Sequence, residues 1–303
     1  MKLIRPIAEI WEQGNTLEDI WAHVARCTRV CYQRTPKNNG ETDKEFVKRV
    51  ILRTNPSTGR LEFDRIHGAM LEHGTVYLKH YKGNIGRMWE ASKYSKVNYS
   101  SNMAYVTTNL RVLYENDLLD QLKYLCDPTE HHAKRVTVSF TTNIGVSREF
   151  NRHRVNSIAE ESTRYCNYSK RNDGQLKIGL PAWLLDEEHL PYIDSHKFDE
   201  VHSYCTNITD GEDGEWCDMD YYLFSITVAE YCYNNLIRKG WKPQQAREVL
   251  PLATKSQLIH TAFVDDWKHF FALRADGVSG PPHPNAKLLA IPIKEEFIKR
   301  NLI

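Results

Sequence analysis

The chain has 303 residues, 41% of them hydrophobic, and 40 Lys and Arg stand against 39 Asp and Glu for a formal net charge of +1. That balance excludes the clearly basic total of a dedicated nucleic-acid binder and the acidic, apolar-poor make-up of a disordered solubiliser. No apolar run reaches the roughly 18 to 20 residues of a membrane helix. The opening MKLIRPIAEIWEQ is broken by Arg5 and Glu9, and the seven Cys show no repeating spacing, so the expectation is a cytoplasmic protein with no membrane segment and no disulfide framework.

Leu17, Ile20, Val24 and Cys27 recur every three or four residues and predict a helix over 17–31. A polar stretch over 33–45 reads as a loop, and 45–53 as a short helix ended by the Asn55-Pro56 turn signal. Thr75 to Leu78 suits a strand. Residues 79–104, rich in Lys, Tyr, Ser and Asn, read as a long excursion. Residues 106–114 fit a strand or a helix, and 117–125 a helix. Val136 to Phe140 alternates as a strand with one buried face and runs through Gly145 into a helix over 147–154. Residues 186–220 hold twelve acids against one Lys, Lys197, so the remaining chain carries a surplus of cations. Tyr222, Ile226, Ala229, Tyr233 and Leu236 mark an amphipathic helix with Gly240 as its C-terminal cap. Pro243 opens a short helix through Val249, stopped by Pro251. Residues 256–272 read as a further helix with Ile259, Phe263 and Phe270 on its core face. Helices and strands interleave without regular βαβ alternation. The expectation is an α+β fold: one domain over 1–303, with a small, mostly antiparallel sheet packed against several long helices.

Dinucleotide-binding G-x-G-x-x-G, Walker A, H-E-x-x-H and paired C-x-x-C signatures are all absent, and no metal site is expected. Cys27 and Cys31 read as core residues of the first helix, and His131-His132 as a solvated turn. The informative stretch is 147–165. From Arg148 to Tyr165 it carries four Arg, one His and three Glu. On a helix over 147–154, Arg148 and Arg152 share a face. Clustered guanidinium groups repel one another, so they meet fixed anions, and their forks match phosphate oxygens two at a time. The plainer alternative is a solvated helix face laced with salt bridges.

The pattern Arg152-His153-Arg154, seven residues, then Ser162 resembles the R-H-R-x7-S signature of flavin-dependent thymidylate synthases, and Arg164-Tyr165 extends it. Collinear segments agree. Ala25-Arg26-Cys27 to Tyr32 resembles that family's first helix, and His67 to Glu72-His73 its His-x-x-x-x-Glu-His segment. Ala246-Arg247-Glu248-Val249-Leu250-Pro251 resembles its Ala-Arg-x-x-Leu-Pro block, and Trp267 to Arg274, followed by His283-Pro284, its late helix. The likeness runs from about residue 20 to 290.

The resemblance implies conversion of dUMP to dTMP. Its implied carbon donor is 5,10-methylenetetrahydrofolate, with NADPH as reductant and FAD as the hydride-carrying cofactor. In that reading Arg152, His153 and Arg154 grip FAD with Glu160, His269 and His283. Arg148, Glu149, Glu160, Glu161, Ser162, Arg164, Arg247 and Arg274 bind the nucleotide, and Ser162, Arg274 and His67 are the catalytic candidates. Ser162 is either a nucleophile or an orienting hydroxyl; orientation is favoured, because no adjacent general base is evident. None of the cysteines stands in the Pro-Cys-His setting of a folate-only synthase. The resemblance also implies a homotetramer with shared active sites. The sequence departs from the family's pattern at Ala159, Phe263, Asp265 and His269, where polar flavin contacts are expected, and in insertions at about 79–134 and 186–220. Two alternatives stay open: a same-fold enzyme that transfers a hydroxymethyl group to a pyrimidine nucleotide, and a non-catalytic nucleotide- or RNA-binding protein using Tyr165, Tyr168, Lys170 and Arg171.

Overall fold

The computed structural model describes residues 1–32, 40–52, 68–170, 174–185 and 218–303. The expected Asn55-Pro56 turn, nearly all of the acidic stretch, Arg171 and His67 lie outside the described residues. The chain opens with β1 (Lys2–Ile4) and β2 (Ile7–Trp11), then enters α1 (Leu17–Tyr32). Thr16 starts that helix. Its Oγ1 accepts from Asp19 N at 3.1 Å, and the Asp19 carboxylate accepts from Thr16 N at 3.2 Å. Thr42 and Glu45 form a capping box that starts α2 (Asp43–Val50), two residues earlier than expected.

A 3-10 segment (Gly68–His73) leads into β3 (Thr75–Tyr81). The stretch read as an excursion is mostly regular. After β3 come α3 (Arg87–Ala91), β4 (Lys96–Ser100) and β5 (Met103–Asn109), and the three strands pair antiparallel in the order β3-β5-β4. The strand expected at Thr75 to Leu78 is β3, and it runs on to Tyr81, where exposed Lys79 and Tyr81 alternate with buried Leu78 and His80. The ambiguous stretch 106–114 is both kinds of element. Asn109 ends the strand, and its side chain accepts from Val112 N at 3.0 Å to start α4 (Leu110–Glu115). The helix expected over 117–125 is a 3-10 segment, Leu119–Tyr124. His132 is buried, not solvated: Nδ1 accepts from Thr129 N at 3.0 Å, and Nε2 lies 3.1 Å from Leu78 O.

Strand β6 (Arg135–Asn143) ends where Asn143 accepts from Val146 N at 3.0 Å and caps α5 (Ile144–Phe150). This helix starts and stops earlier than expected. His153 N donates to Phe150 O and Asn156 N to His153 O, so Arg152, His153 and Arg154 lie in a tight turn, and Arg148 and Arg152 share no helix face. Next come β7 (Ser157–Glu160), β8 (Lys177–Gly179), which pairs parallel with β1, and the long α6 (Asp218–Arg238). Gly240 follows α6 in the left-handed region at φ 93°, as its capping place requires. The helix begun by Pro243 is α7 (Pro243–Ala246) continued by a 3-10 turn to Val249.

The helix expected over 256–272 is two elements, the strand β9 (Lys255–Phe263) and α8 (Val264–Phe271), followed by a π turn (Ala272–Asp276) and α9 (Pro284–Lys299). Strand β9 sits between β6 and β7 in the antiparallel order β2-β6-β9-β7 and is buried on both faces. A strand covered on both sides shows no alternation, so its apolar residues mimicked helical spacing. One face of this sheet packs Val136, Val138 and Phe140 against Trp267, Phe270, Phe271 and Phe297, and Trp267 Nε1 donates to Val136 O at 3.1 Å. The other face packs Ala159 and Ile259 toward Ile20, Val24 and Cys27 of α1. Ile226 and Tyr233 of α6 cover Cys166, Tyr168 and Ile178. The architecture is the expected α+β one, and no described helix is long and apolar enough to cross a membrane.

Candidate active site

The site begins where β7 runs out. Glu161 N donates to Gln257 O of β9 at 2.8 Å, and Ser162 N to the carbonyl of Cys31 in the last turn of α1 at 3.2 Å. Cys166 N then closes the turn on Ser162 O at 2.9 Å. These bonds pin residues 160–162 between a helix end and the sheet, at a cavity of about 670 Å³. Cys31, Arg148, Glu160, Glu161, Ser162, Thr163, Arg247 and Glu248 supply its polar lining, and Ile144, Leu250, Pro251 and Leu252 its apolar lining. Five residues expected at the substrate therefore meet in one place: Arg148, Glu160, Glu161, Ser162 and Arg247.

The carboxylates are firmly held. Glu160 accepts from Asn151 Nδ2 at 2.7 Å and from Ser256 Oγ at 2.8 Å. Glu161 pairs with Lys255 Nζ, and their side chains are only 3% and 14% exposed. The Cys31 thiol is pushed up to about 11, chiefly by burial and then by Cys166 and Glu160, so it is not a thiolate at neutral pH. The hydrogen bonds of Ser162 are backbone ones, and no general base engages its hydroxyl among the described residues.

The arginines differ. Arg148 is exposed and makes no ion pair among the described residues. Arg247 touches Thr163 Oγ1 at 3.5 Å and Glu248 at 3.7 Å, both loose contacts. Arg164 is exposed outside the cavity lining, 3.4 Å from Gln244 Oε1 and 5.3 Å over the Tyr165 ring. Arg152 and Arg154 are exposed with no side-chain partner among the described residues.

Arg274 belongs to a second cluster. The π turn that carries it is closed by Gly277 at φ 73°. Its Nη1 donates to Glu149 Oε2 at 2.6 Å, Nη2 to Glu149 O at 2.7 Å and Nε to His153 Nε2 at 3.1 Å. An accepting Nε2 places the proton of neutral His153 on Nδ1. Burial, then the charges of Arg274 and His269, lowers His153 to about 4. His269 is exposed, 6.1 Å ring to ring from His153. His283 does not join the site: it caps α9, accepting from Asn285 N at 3.2 Å, and lies beside Trp183. Of the departures noted in the sequence, Asp265 is paired with Lys96 at 2.8 Å, and Phe263 is buried beneath that same Lys96.

Asn151, Lys255 and Ser256 went unnoticed in the sequence although they hold the two carboxylates. The signal lay in strand pairing, since β9 runs beside β7 with Glu160 opposite Leu258, and reading 256–272 as a helix concealed it.

A model of the family described as "Thymidylate synthase complementing protein" matches residues 16–300. The chain belongs to this family, that of the flavin-dependent thymidylate synthases. Membership makes it a thymidylate synthase-type enzyme. No curated protein matches the chain. Among solved structures, it is similar to the UMP/dUMP methylase PolB from Streptomyces cacaoi bound with 5-Br dUMP, at 16% identity and TM-score 0.41 over 99% of this chain and 93% of that one. The same methylase bound with 5-Br UMP is similar at 17% identity and TM-score 0.40, over 98% and 91%.

Proposed function

We propose that the chain catalyses FAD-dependent reductive methylation of dUMP to dTMP, with 5,10-methylenetetrahydrofolate as carbon donor and NADPH as reductant. The observation that carries this reading is the convergence of Arg148, Glu160, Glu161, Ser162 and Arg247 on one cavity of about 670 Å³. That volume lies within the roughly 300–1,000 Å³ of small-molecule sites. The two arginines, loosely held or unpaired, suit the phosphate of a nucleotide, a near-dianion at neutral pH. The fixed carboxylates and Ser162 suit the neutral, hydrogen-bonding sugar and base.

For FAD, the exposed and uncompensated Arg152 and Arg154 fit a pyrophosphate on either side of buried His153. FAD, when bound, supplies the hydride chemistry, and this chain's residues supply orientation and charge. Arg152 and Arg154 neutralise the pyrophosphate. His153, kept neutral, fixes the turn between them and steadies Arg274. Glu160, held by Asn151 and Ser256, presents its carboxylate in one orientation. Ser162 orients the nucleotide, and its backbone bonds set the place of its hydroxyl.

A homotetramer completes the reading. Val155, Tyr165 and Leu252 are exposed beside the motif arginines, an apolar rim that a second copy would cover. We assign one catalytic unit to 1–303, with additions at 79–134 and 186–220. The free thiols of Cys27, Cys31, Cys126 and Cys232 suit the cytoplasm.

The test is a dUMP-dependent NADPH oxidation assay on protein purified with its flavin, with mass analysis of the product. Yellow protein that forms thymidylate is the expected result. A 5-hydroxymethyl product would move the assignment to the hydroxymethyl-transferring alternative. Colourless protein that cannot be reconstituted with FAD would remove the flavin.

A further inference from the structure

A second cavity, of about 230 Å³, opens where the end of β2 and the start of β6 meet β3 and the C-terminal residues. It shares no lining residue with the nucleotide cavity. Its charged lining is Lys134, Arg135 and Arg300 against a single carboxylate, Glu12. Arg300 is engaged by Glu12 and, at 2.7 Å, by Glu296, so it carries little uncompensated charge. The other two cations are different. Arg135 donates only to neutral acceptors: Glu72 O at 3.1 Å, Thr75 Oγ1 at 3.2 Å and Ser157 Oγ at 3.3 Å. The nearby Glu72 carboxylate is taken by Arg111. The buried Nε of Arg135 has no partner, and neither has the buried Nε1 of Trp11, a second lining residue. Lys134 is exposed at the cavity and makes no ion pair among the described residues.

A guanidinium drawn out of water with no carboxylate bonded to it and one of its own N–H groups unmatched is costly, and the unmatched indole N–H of Trp11 adds to the cost. Burial lowers Arg135 to about 10, outweighing the opposing pull of Tyr77, Glu72 and Asp266, none of which accepts a hydrogen bond from its guanidinium through a carboxylate or phenol oxygen. The cavity is smaller than the about 300 Å³ at the low end of drug-sized sites, which limits its occupant to a compact group.

We propose that this cavity is a second anion site that takes a compact oxyanion of a small metabolite, a phosphate or a pair of carboxylates, between Arg135 and Lys134. The aromatic rings of Trp11 and Tyr77 line the same cavity and give the occupant an apolar wall. The segment before β6 supplies Pro128 and Lys134, so the site joins the central sheet to the stretch between β5 and β6.

The test is isothermal titration with inorganic phosphate and with succinate, each against chloride at matched ionic strength. The proteins are wild type, Arg247→Ala, Lys134→Glu and Arg135→Lys. Saturable binding of one probe, kept in Arg247→Ala and weakened about tenfold or more in Lys134→Glu and Arg135→Lys, is the expected result. Binding of phosphate identifies a phosphorylated source, and binding of succinate a dicarboxylate. Arg135 ties β6 to β3, so its variant can lose the fold; the exposed Lys134 keeps the test decisive. Absence of saturable binding of both probes overturns the proposal, as does Lys134→Glu binding as tightly as wild type. Loss of all binding in Arg247→Ala assigns it to the nucleotide cavity instead and also overturns this site. The outcome is independent of whether the nucleotide cavity methylates dUMP.

Discussion

The floor and the rim of the cavity of about 670 Å³ are built on opposite principles. On the floor, every carboxylate oxygen of Glu160 has a donor, and Glu161 is buried against Lys255. On the rim, Arg148 has no ion-pair partner among the described residues and Arg247 has only contacts of 3.5 Å and 3.7 Å; Arg152 and Arg154, outside the cavity lining, are likewise without an ion pair among the described residues. Carboxylates anchored by donors are in place before any ligand arrives and cost little reorganisation. Unanchored arginines keep their side-chain entropy until an anion or a second subunit fixes them. The difference separates residues that this chain alone positions from residues that await something else. Arg274 is the exception among the motif arginines, because Glu149 and His153 already hold it.

The largest contrast is one of stability. Lys255→Met removes the cation paired with buried Glu161, and the expected cost is about 3–5 kcal/mol. Arg148→Met on the rim shifts stability by no more than about 0.5 kcal/mol while weakening nucleotide binding. Urea unfolding of both variants checks this. Equal losses would dissolve the distinction between floor and rim.

Acid probes the anchored Arg274 cluster. His153 is lowered from its ordinary 6.5 to about 4, chiefly by burial. Its neutral form is therefore favoured by folding, and the unfolded chain binds more protons between those two values. Stability is full above pH 6.5 and falls as pH drops toward 4, by on the order of 3 kcal/mol for this group alone. His23, lowered to about 4, and His260, lowered to about 3, act in the same direction, again chiefly through burial. Unfolding midpoints at stepped pH should fall across this window, with a shallower slope in His153→Asn; a flat wild-type profile contradicts the buried neutral imidazole.

Arg274→Ala tests whether an anchored arginine also serves the ligand. Loss of a charge-assisted bond of roughly 1.5–3 kcal/mol predicts dUMP binding or turnover lower by about tenfold or more. The same change removes a charge that depresses His153, so NMR titration should find that imidazole raised from about 4 toward its ordinary value. Unchanged kinetics with a raised His153 would leave Arg274 a structural clasp and nothing more.

These contrasts follow how legible each part was in the sequence. The α1 periodicity, the β6 strand and the Gly240 cap are local signals, and the structure keeps them, except that β6 is buried on both faces where one was expected. Strand β9 failed because burial on both faces erases alternation, and β4 because its exposed Asn98 and Tyr99 resemble a loop. The motif arginines were visible because charge clusters without local compensation stand out in one dimension. The donors that hold Glu160 and Glu161 were not, since Ser256 and Lys255 lie more than ninety positions away from them and meet them only through strand pairing. Arg274 and Glu149, 125 positions apart, met for a similar reason, by a π turn that no spacing rule foresees.

The smallest effect belongs to the most conspicuous residue of the motif. Ser162 lies between the two regions: its backbone is pinned to α1 and to its own turn, while it lines the cavity with no base hydrogen-bonded to its hydroxyl among the described residues. Deprotonating a serine near neutral pH requires such a base, and the nearby carboxylates are already committed to Asn151, Ser256 and Lys255. An orienting hydroxyl contributes one hydrogen bond of about 0.5–1.5 kcal/mol. Ser162→Ala should therefore keep substantial turnover, with a loss of about tenfold or less carried mainly in KM, whereas Ser162→Cys should show no faster chemistry than wild type. Complete inactivity of folded Ser162→Ala that still binds dUMP would make the hydroxyl an obligatory nucleophile and require a base brought to the cavity from another chain.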